Sequence, residues 1–355
     1  MTYNPKHFDI FIGIDVDQKG FSFTVKDHEH MSISKRIPAN PENLYRYITN
    51  TYNNKRVICA YEVGGTGYRL HDYLMGRDIP CLMVSPPSIP KPSNSRVKNN
   101  RIDSNKIAKE LKAGELPSIR VPNQDYRDLR HLLRCREDYV NAGRVAKQRI
   151  KALLLYTGLH ESIKEPTTNW SNRYIQTLKG LSYPTDATRQ RMGMLLADMD
   201  YNRQQNLKIL KNLRSFCKNH PLIHQHCKYV DSAPGIGFIT AISIIGYIGD
   251  PLFLQNPREL AGFIGVVPRE HSTGERVRKG GITHLGSPLL RSLLIEAAWI
   301  AKNKDKRLEQ FYNRVYSKNK HDSGIAARKA IVAVARKLTM IIYCLLKEQR
   351  NYVAY

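Results

Sequence analysis

The feature that most constrains this chain is a pattern near its start: an apolar run of strand length that closes on a single carboxylate, met twice. Phe8–Asp15 (FDIFIGID) ends on Asp15, and Arg56–Glu62 (RVICAYE) ends on Glu62. Runs this apolar read as buried strands. Two carboxylates brought together at buried strand ends are costly unless a cation neutralises them. The pattern therefore asks for a sheet that sets these strand ends side by side, and for positive charge between them.

The surrounding elements show how such a sheet would be ordered. Phe21–Val25 and Met31–Ile37 read as further strands, antiparallel to one another, and Pro41 to about Tyr52 as a helix with Asn40 as its N-cap. Gly67–Arg77 reads as a helix and Pro80–Val84 as a strand, followed by a Pro- and Ser-rich basic loop, SPPSIPKPSNSRVKNNR. A helix from about Asp103 to Ala113 and a short strand, Ile119–Val121, close the unit. This succession is that of a ribonuclease-H-like α/β fold, in which the first and fourth strands are neighbours. Asp15 and Glu62 would then lie together, with Asp103 opening a nearby helix. Hard oxygen ligands of this kind select Mg2+ or Mn2+, and paired ions ~3.5–4 Å apart can clamp both oxygens of a phosphodiester exchange. Singly, Asp15 reads as a strand-end cap, Glu62 as a solvated carboxylate and Asp103 as an N-cap. Asp17 is a spare acid that shares the direction of Asp15 only if the strand continues.

The rest of the chain is expected to be mainly helical. Gln124–Gly158 carries an apolar stripe of Leu129, Leu132, Leu133, Val140, Ile150, Leu153 and Leu154, with Arg127, Arg130, Arg134, Arg144, Lys147 and Lys151 around it. It reads as a coiled-coil-like arm, either solvated or facing nucleic acid. Helices near Asn172–Lys179 and Thr185–Lys218 complete the middle. In Val230–Asp250 the run Pro-Gly-Ile-Gly leads into an apolar helix, the sign of a helix-hairpin-helix in which Gly235 and Gly237 let backbone N–H groups approach a phosphate. Plain helix packing is the other reading of those glycines. Helices at Pro288–Lys302, Asp305–Ser317 and Gly324–Lys347 end the chain. The organisation expected is a domain over 1–122, an arm over 123–220 and a C-terminal domain over 221–355.

Charge then decides the class of partner. Lys and Arg outnumber Asp and Glu by 56 to 31, a formal charge of +25. Counterion release on phosphate contact makes nucleic acid the natural partner of such an excess. No apolar run reaches the roughly 18 residues of a membrane span, and MTYNPKHFDI lacks the features of a signal peptide, so no membrane partner is expected. The six cysteines are scattered, mostly in apolar runs, as in the core of a protein from a reducing cytosol. Cys217, His220, His224, His226 and Cys227 match no standard zinc spacing and fall between expected helices.

A second constellation is PREHSTGERVRKGGITHLGSPLLR, Pro268–Arg291. It sets Ser272 and Thr273 before Gly274 and among Arg269, Arg276, Arg278 and Lys279. A hydroxyl that attacks phosphorus needs such cations around the developing charge. Spacing alone favours a loop that grips phosphate with hydroxyls that only donate hydrogen bonds.

Taken in order, the GID of Asp15, YEVGGTGY around Glu62, KNNRIDSNKIAKEL around Asp103, PGIG at Pro234–Gly237 and the stretch from HSTG to LGSPLLRSLLIEAAW resemble one family over nearly the whole chain. It is the Piv-like, IS-one-ten type of transposases and site-specific invertases, which includes the bridge-RNA-guided recombinases. The resemblance implies a RuvC-like DEDD domain, a helical arm and a C-terminal transposase domain bearing a catalytic serine. It implies a homo-oligomer, a dimer or tetramer, in which the acids of one subunit work with the serine of another. A noncoding guide RNA would pair with donor and target DNA, in the cytoplasm of a bacterial or archaeal cell. Carried over by residue, the catalytic and metal-holding acids are Asp15, Glu62 and Asp103, and the remaining acid falls on Asn100. An amide oxygen can ligate a metal but brings no charge. The family serine immediately precedes the Gly, where this chain has Thr273. Ser272, just ahead, offers the less hindered primary hydroxyl and is the expected nucleophile, with Thr273 its rival. Two other classes fit the residues: a metal-dependent nuclease of the Holliday-junction type, and a non-catalytic nucleic-acid-binding descendant of a transposase.

Overall fold

The computed structural model describes residues 3–29, 31–85, 100–163, 170–273, 276–283, 285–320 and 323–354. The chain forms two compact units, Met1–Val121 and Pro122–Tyr355.

The first unit holds one six-stranded sheet in the order β3-β2-β1-β4-β5-β6. Its strands are β1 (Ile10–Val16), β2 (Gly20–Asp27), β3 (Ser32–Pro38), β4 (Val57–Glu62), β5 (Cys81–Val84) and β6 (Ser118–Ile119). β1, β4 and β5 run parallel, while β2 pairs antiparallel with both β1 and β3, and β6 antiparallel with β5. The first and fourth strands are neighbours, as the acid-terminated runs require. Three helices cover the sheet: α1 (Pro41–Thr51), α2 (Arg69–Met75) and α3 (Asn100–Ala113). Strand alternation splits the core in two. Ile10, Ile12 and Ile14 of β1 and Cys59 and Tyr61 of β4 pack with Leu44, Ile48, Leu70 and Leu74 of α1 and α2. Phe11, Ile58 and Ala60 pack instead with Ile107 and Leu111 of α3. Burial on both faces is why these strands read as continuous apolar runs.

Local chemistry sets the boundaries. The Asn40 side chain accepts from the Glu42 N–H at 3.0 Å and caps α1 as expected. α2 begins later than expected because Gly67 adopts a left-handed φ of 66°. α3 begins three residues before the expected start, so Asp103 lies within its first turn instead of opening it. The basic loop, over 86–99, lies outside the described residues.

The second unit is mostly helical. It comprises α4 (Gln124–Tyr156), α5 (Asn172–Lys179), α6 (Asp186–Asn219), α7 (Pro221–Asp231), α8 (Phe238–Ile248), α9 (Pro257–Ile264), the hairpin β7 (Pro268–Thr273) and β8 (Arg276–Ile282), α10 (Pro288–Lys304), α11 (Lys306–Ser317) and α12 (Ser323–Glu348). α4 and α6 form a long antiparallel pair with two cores. At the tip, Ala146, Ile150, Leu153 and Leu154 meet Tyr174, Leu178, Met192, Leu195 and Met199. At the base, Tyr126, Leu129 and Leu133 of α4 and Leu213 of α6 join the core of the C-terminal helices. The stretch expected as a phosphate-gripping loop is a two-stranded ribbon. Its sequence signal is the two-residue connection Gly274–Glu275, with Gly in the first position. Among the described residues no helix is long and apolar enough to cross a membrane.

Candidate functional site

The β1–β4 register runs in parallel through Ile14↔Tyr61. Asp15 and Glu62 occupy the next position of each strand, on neighbours about 4.8 Å apart. Both alternate with residues of the α1/α2 core, so both belong to the face that α3 covers. Asp15 is half-buried and Glu62 exposed.

Gly13 brings the third acid to this place. A Cβ at Gly13 would lie 2.3 Å from both the Ala108 nitrogen and the Ser104 carbonyl oxygen, so only glycine lets α3 rest on β1. At the far end of α3, Gly114 comes against Pro5, which precedes β1. The helix therefore runs opposite to β1, and its first turn, with positions 100 and 103, lies at the end of the sheet where Asp15 and Glu62 stand. Asp103 is one turn ahead of buried Ile107, on the stripe that faces the sheet. Ser104 fixes this turn through hydrogen bonding with Thr24 at 3.0 Å inside the unit. Gly13 and Ser104 thus position the acids, although only the acids stood out in the sequence.

The donor chemistry is all carboxylate oxygen, which suits a hard divalent cation. Among the described residues, no three His, Cys, Asp or Glu side chains are grouped closely enough to hold an ion together. The structure brings the acids to one face and one end of the sheet, and stops there. Asp17 is not part of the group: β1 ends at Val16, and the Asp17 carboxylate accepts from the Gln18 N–H in the turn that follows.

In the second unit, Ser272 and Thr273 are the last two residues of β7, paired with Val277 and Arg276. Arg278 lies opposite His271, and Lys279 opposite Glu270. One ribbon thus carries the hydroxyl pair and the cations, with Arg269 exposed at its start. The side chains of 270–273 and 276–279 lie outside the described part, as does Gly274. The Pro-Gly-Ile-Gly turn joins α7 to α8, and its two glycines differ. Gly235 has a φ of 75°, and a Cβ there would lie 2.3 Å from the Ala297 carbonyl oxygen of α10. It serves helix packing. Gly237 is exposed and precedes α8 without a side-chain cap.

Two of the arginines expected to face nucleic acid are engaged within the fold. Arg130 Nε donates to the Gly246 carbonyl at 2.9 Å, and its terminal nitrogen to the Tyr247 carbonyl at 2.8 Å. It closes the last turn of α8, where a cation also complements the helix dipole. Arg127 Nε donates to the Pro122 carbonyl at 2.7 Å. Arg134 is exposed. Arg130→Ala is expected to cost the second unit about 1–3 kcal/mol, the scale of charge-assisted hydrogen bonds to carbonyls left unpaired. A lower midpoint of thermal unfolding would show it, while an unchanged midpoint would mean that α8 ends without this cap.

The cysteine–histidine cluster lies in α6 and α7, not between helices, the break being His220. His220 turns away, stacked on Phe216 with its Nδ1 2.7 Å from the Phe216 carbonyl oxygen. Cys217 Sγ lies 3.7 Å from His224 Nδ1, and the Cys227 thiol with that imidazole lowers the pKa of the Cys217 thiol.

Two family models match this chain. One, described as a transposase and of the DEDD IS110 type, covers residues 12–159, and the other, the transposase IS116/IS110/IS902 family, covers residues 227–313. The first takes in all the acids, and the second the glycine turn and the hairpin. The chain is 27% identical to a putative transposase, y4qE, of Sinorhizobium fredii, over 97% of this chain and 90% of the relative. It is 26% identical to the transposase for insertion sequence element IS1111A of Coxiella burnetii, over 86% and 82% of the two chains. A pilin gene-inverting protein of Moraxella lacunata is 28% identical over 37% of this chain and 40% of its own.

Proposed function

The chain belongs to the IS116/IS110/IS902 transposases with a DEDD N-terminal domain, enzymes of DNA transposition, and from that premise we propose a hydroxyl-nucleophile mechanism of strand exchange for it. The observation that carries the reading is the placement of Asp15, Glu62 and the first turn of α3 on one face and one end of a sheet. We read the sheet as ribonuclease-H-like. Asp15, Glu62 and Asp103 would hold Mg2+ or Mn2+, with the Asn100 amide as a neutral fourth ligand. Such an ion, when bound, supplies positive charge at the phosphate oxygens.

The protein's own groups do the rest. The Ser272 hydroxyl attacks phosphorus in line, forming a phosphoserine link as the P–O3′ bond breaks, and its proton ends on the departing 3′ oxygen. The free 3′-hydroxyl then attacks a phosphoserine link on a partner subunit and releases that serine, so strands are exchanged without net hydrolysis. Arg269, Arg276, Arg278 and Lys279 offset the charge that gathers on the phosphate. Gly237, ahead of the uncapped start of α8, offers N–H groups to the backbone of bound DNA. A guide RNA pairing with donor and target DNA accords with the charge of +25, and a dimer or tetramer brings the acids of one copy to the serine of another. Incubation with DNA followed by a denaturing gel tests the mechanism. A covalent protein–DNA adduct is expected. Free ends without adduct would mean a water-using nuclease.

The amide at position 100 favours a second reading, a nucleic-acid-binding descendant without catalysis. Asn100→Asp adds a charged ligand and is expected to lower the Mg2+ concentration needed for half-maximal exchange. A variant indistinguishable from an active parent would show the amide to be a sufficient ligand. Inert parent and variant would favour the second reading.

A further inference from the structure

A recess beside the acids is floored by a chain of hydroxyls. Thr24 Oγ1 lies 2.9 Å from Ser34 Oγ on β3 and 3.0 Å from Ser104 Oγ on α3. Ser104 donates onward to the Arg101 carbonyl at 3.1 Å. Thr24 and Ser104 are fully buried, so the network ties β2, β3 and α3 together. Over this floor opens a cavity of about 500 Å³ whose polar lining includes Ser22, Ser34, Arg36, Arg101 and Ser104.

The register relates this cavity to the acids. Arg36 pairs with Ser22, and Ser22 pairs with Asp15, so the three form one row across the sheet. Directly paired residues share a face, which here is the face under α3. Arg36 lies two strands from Asp15, roughly 10 Å, or the rise of about three nucleotides along one strand of a duplex. Gly20 leaves the room into which Arg36 leans, since a Cβ there would come within 2.9 Å of its Nε. Among the described residues Arg36 makes no ion pair. Lys35 also lines the recess, but its ammonium lies 4.7 Å from the centre of the Tyr47 ring, while Arg36 and Arg101 are the arginines of the lining.

We propose that this recess seats a backbone phosphate of the DNA strand whose scissile bond lies at Asp15 and Glu62. Arg36 and Arg101 bind its non-bridging oxygens, and the Ser22 hydroxyl donates to it. The proposal rests on the transposase reading and adds to it a fixed contact a few nucleotides from the bond, which sets where along the strand the acids fall.

Arg36 and Arg101 are both exposed, so Arg36→Gln and Arg101→Gln leave the core intact, which circular dichroism would verify. The full chain and its variants are titrated with a fluorescent DNA duplex, and with an RNA duplex of the same sequence, over a range of salt. Each Gln variant is expected to bind DNA about three- to tenfold more weakly and to lower the salt slope by about one, with about two for the pair. Lys35→Gln is expected to leave the slope unchanged. A double variant with the parent's affinity and slope, beside a parent that binds DNA, would overturn the seat and leave the transposase reading standing. Losses confined to RNA would overturn the assignment to DNA. A parent that binds no DNA would remove the wider reading, and the seat with it.

Discussion

Asp15→Ala and Glu62→Ala are each expected to lower strand exchange by about a thousandfold or more while DNA binding persists. The acids stand side by side on neighbouring parallel strands, where a bound cation would offset their like charge. On the proposed reading, removing one carboxylate removes a charged ligand, and losing several kcal/mol of charge stabilisation corresponds to a loss of that order. Stability should not suffer. Neither side chain is buried. A gel-shift titration matching the parent, together with loss of exchange products on a denaturing gel, is the expected pair of results. If both variants still recombine DNA, the acidic site is not where exchange takes place.

Ser272→Ala is expected to lose the covalent adduct altogether, whereas Thr273→Ala should lose about tenfold in rate. A hydroxyl that only grips phosphate contributes one hydrogen bond, worth about 0.5–1.5 kcal/mol, or roughly a factor of ten. An attacking oxygen has no substitute in Ala. The two residues are consecutive in β7. An adduct that survives in Ser272→Ala and vanishes in Thr273→Ala would move the role one residue along. Survival in the double variant would leave a water-using nuclease.

What was legible in the sequence followed from burial. The runs ending on Asp15 and Glu62 are apolar because helices cover both faces of the sheet, and their adjacency followed from the order of elements. The start of α3 was not legible. Where the helix rests on β1 was not legible either: Ser104 and Ala108 dock onto Gly13, a long-range contact with no local pattern. The structural role of Arg130 was not legible for a related reason. Charge shows in a sequence, but the carbonyls of Gly246 and Tyr247 that accept from Arg130 do not, because every residue has one. In the hairpin, the density of Arg and Lys hid strands that only Val277 and the two-residue connection hinted at.

The continuity of α4 has a consequence for how members of such a family can differ in size. Its 33 residues span about 50 Å, and the stretch between Leu133 and Ala146 contributes to neither core. Each added residue lengthens the helix by about 1.5 Å and also turns the tip by about 100°, so reach and heading cannot be varied separately. Insertions of about seven residues in both α4 and α6 would extend the arm by about 10 Å and return the tip core to within roughly 20° of its original heading. Shorter insertions would swing it to another side. The arm therefore works as a ruler with coarse graduations, and its admissible lengths are quantised by the helical repeat.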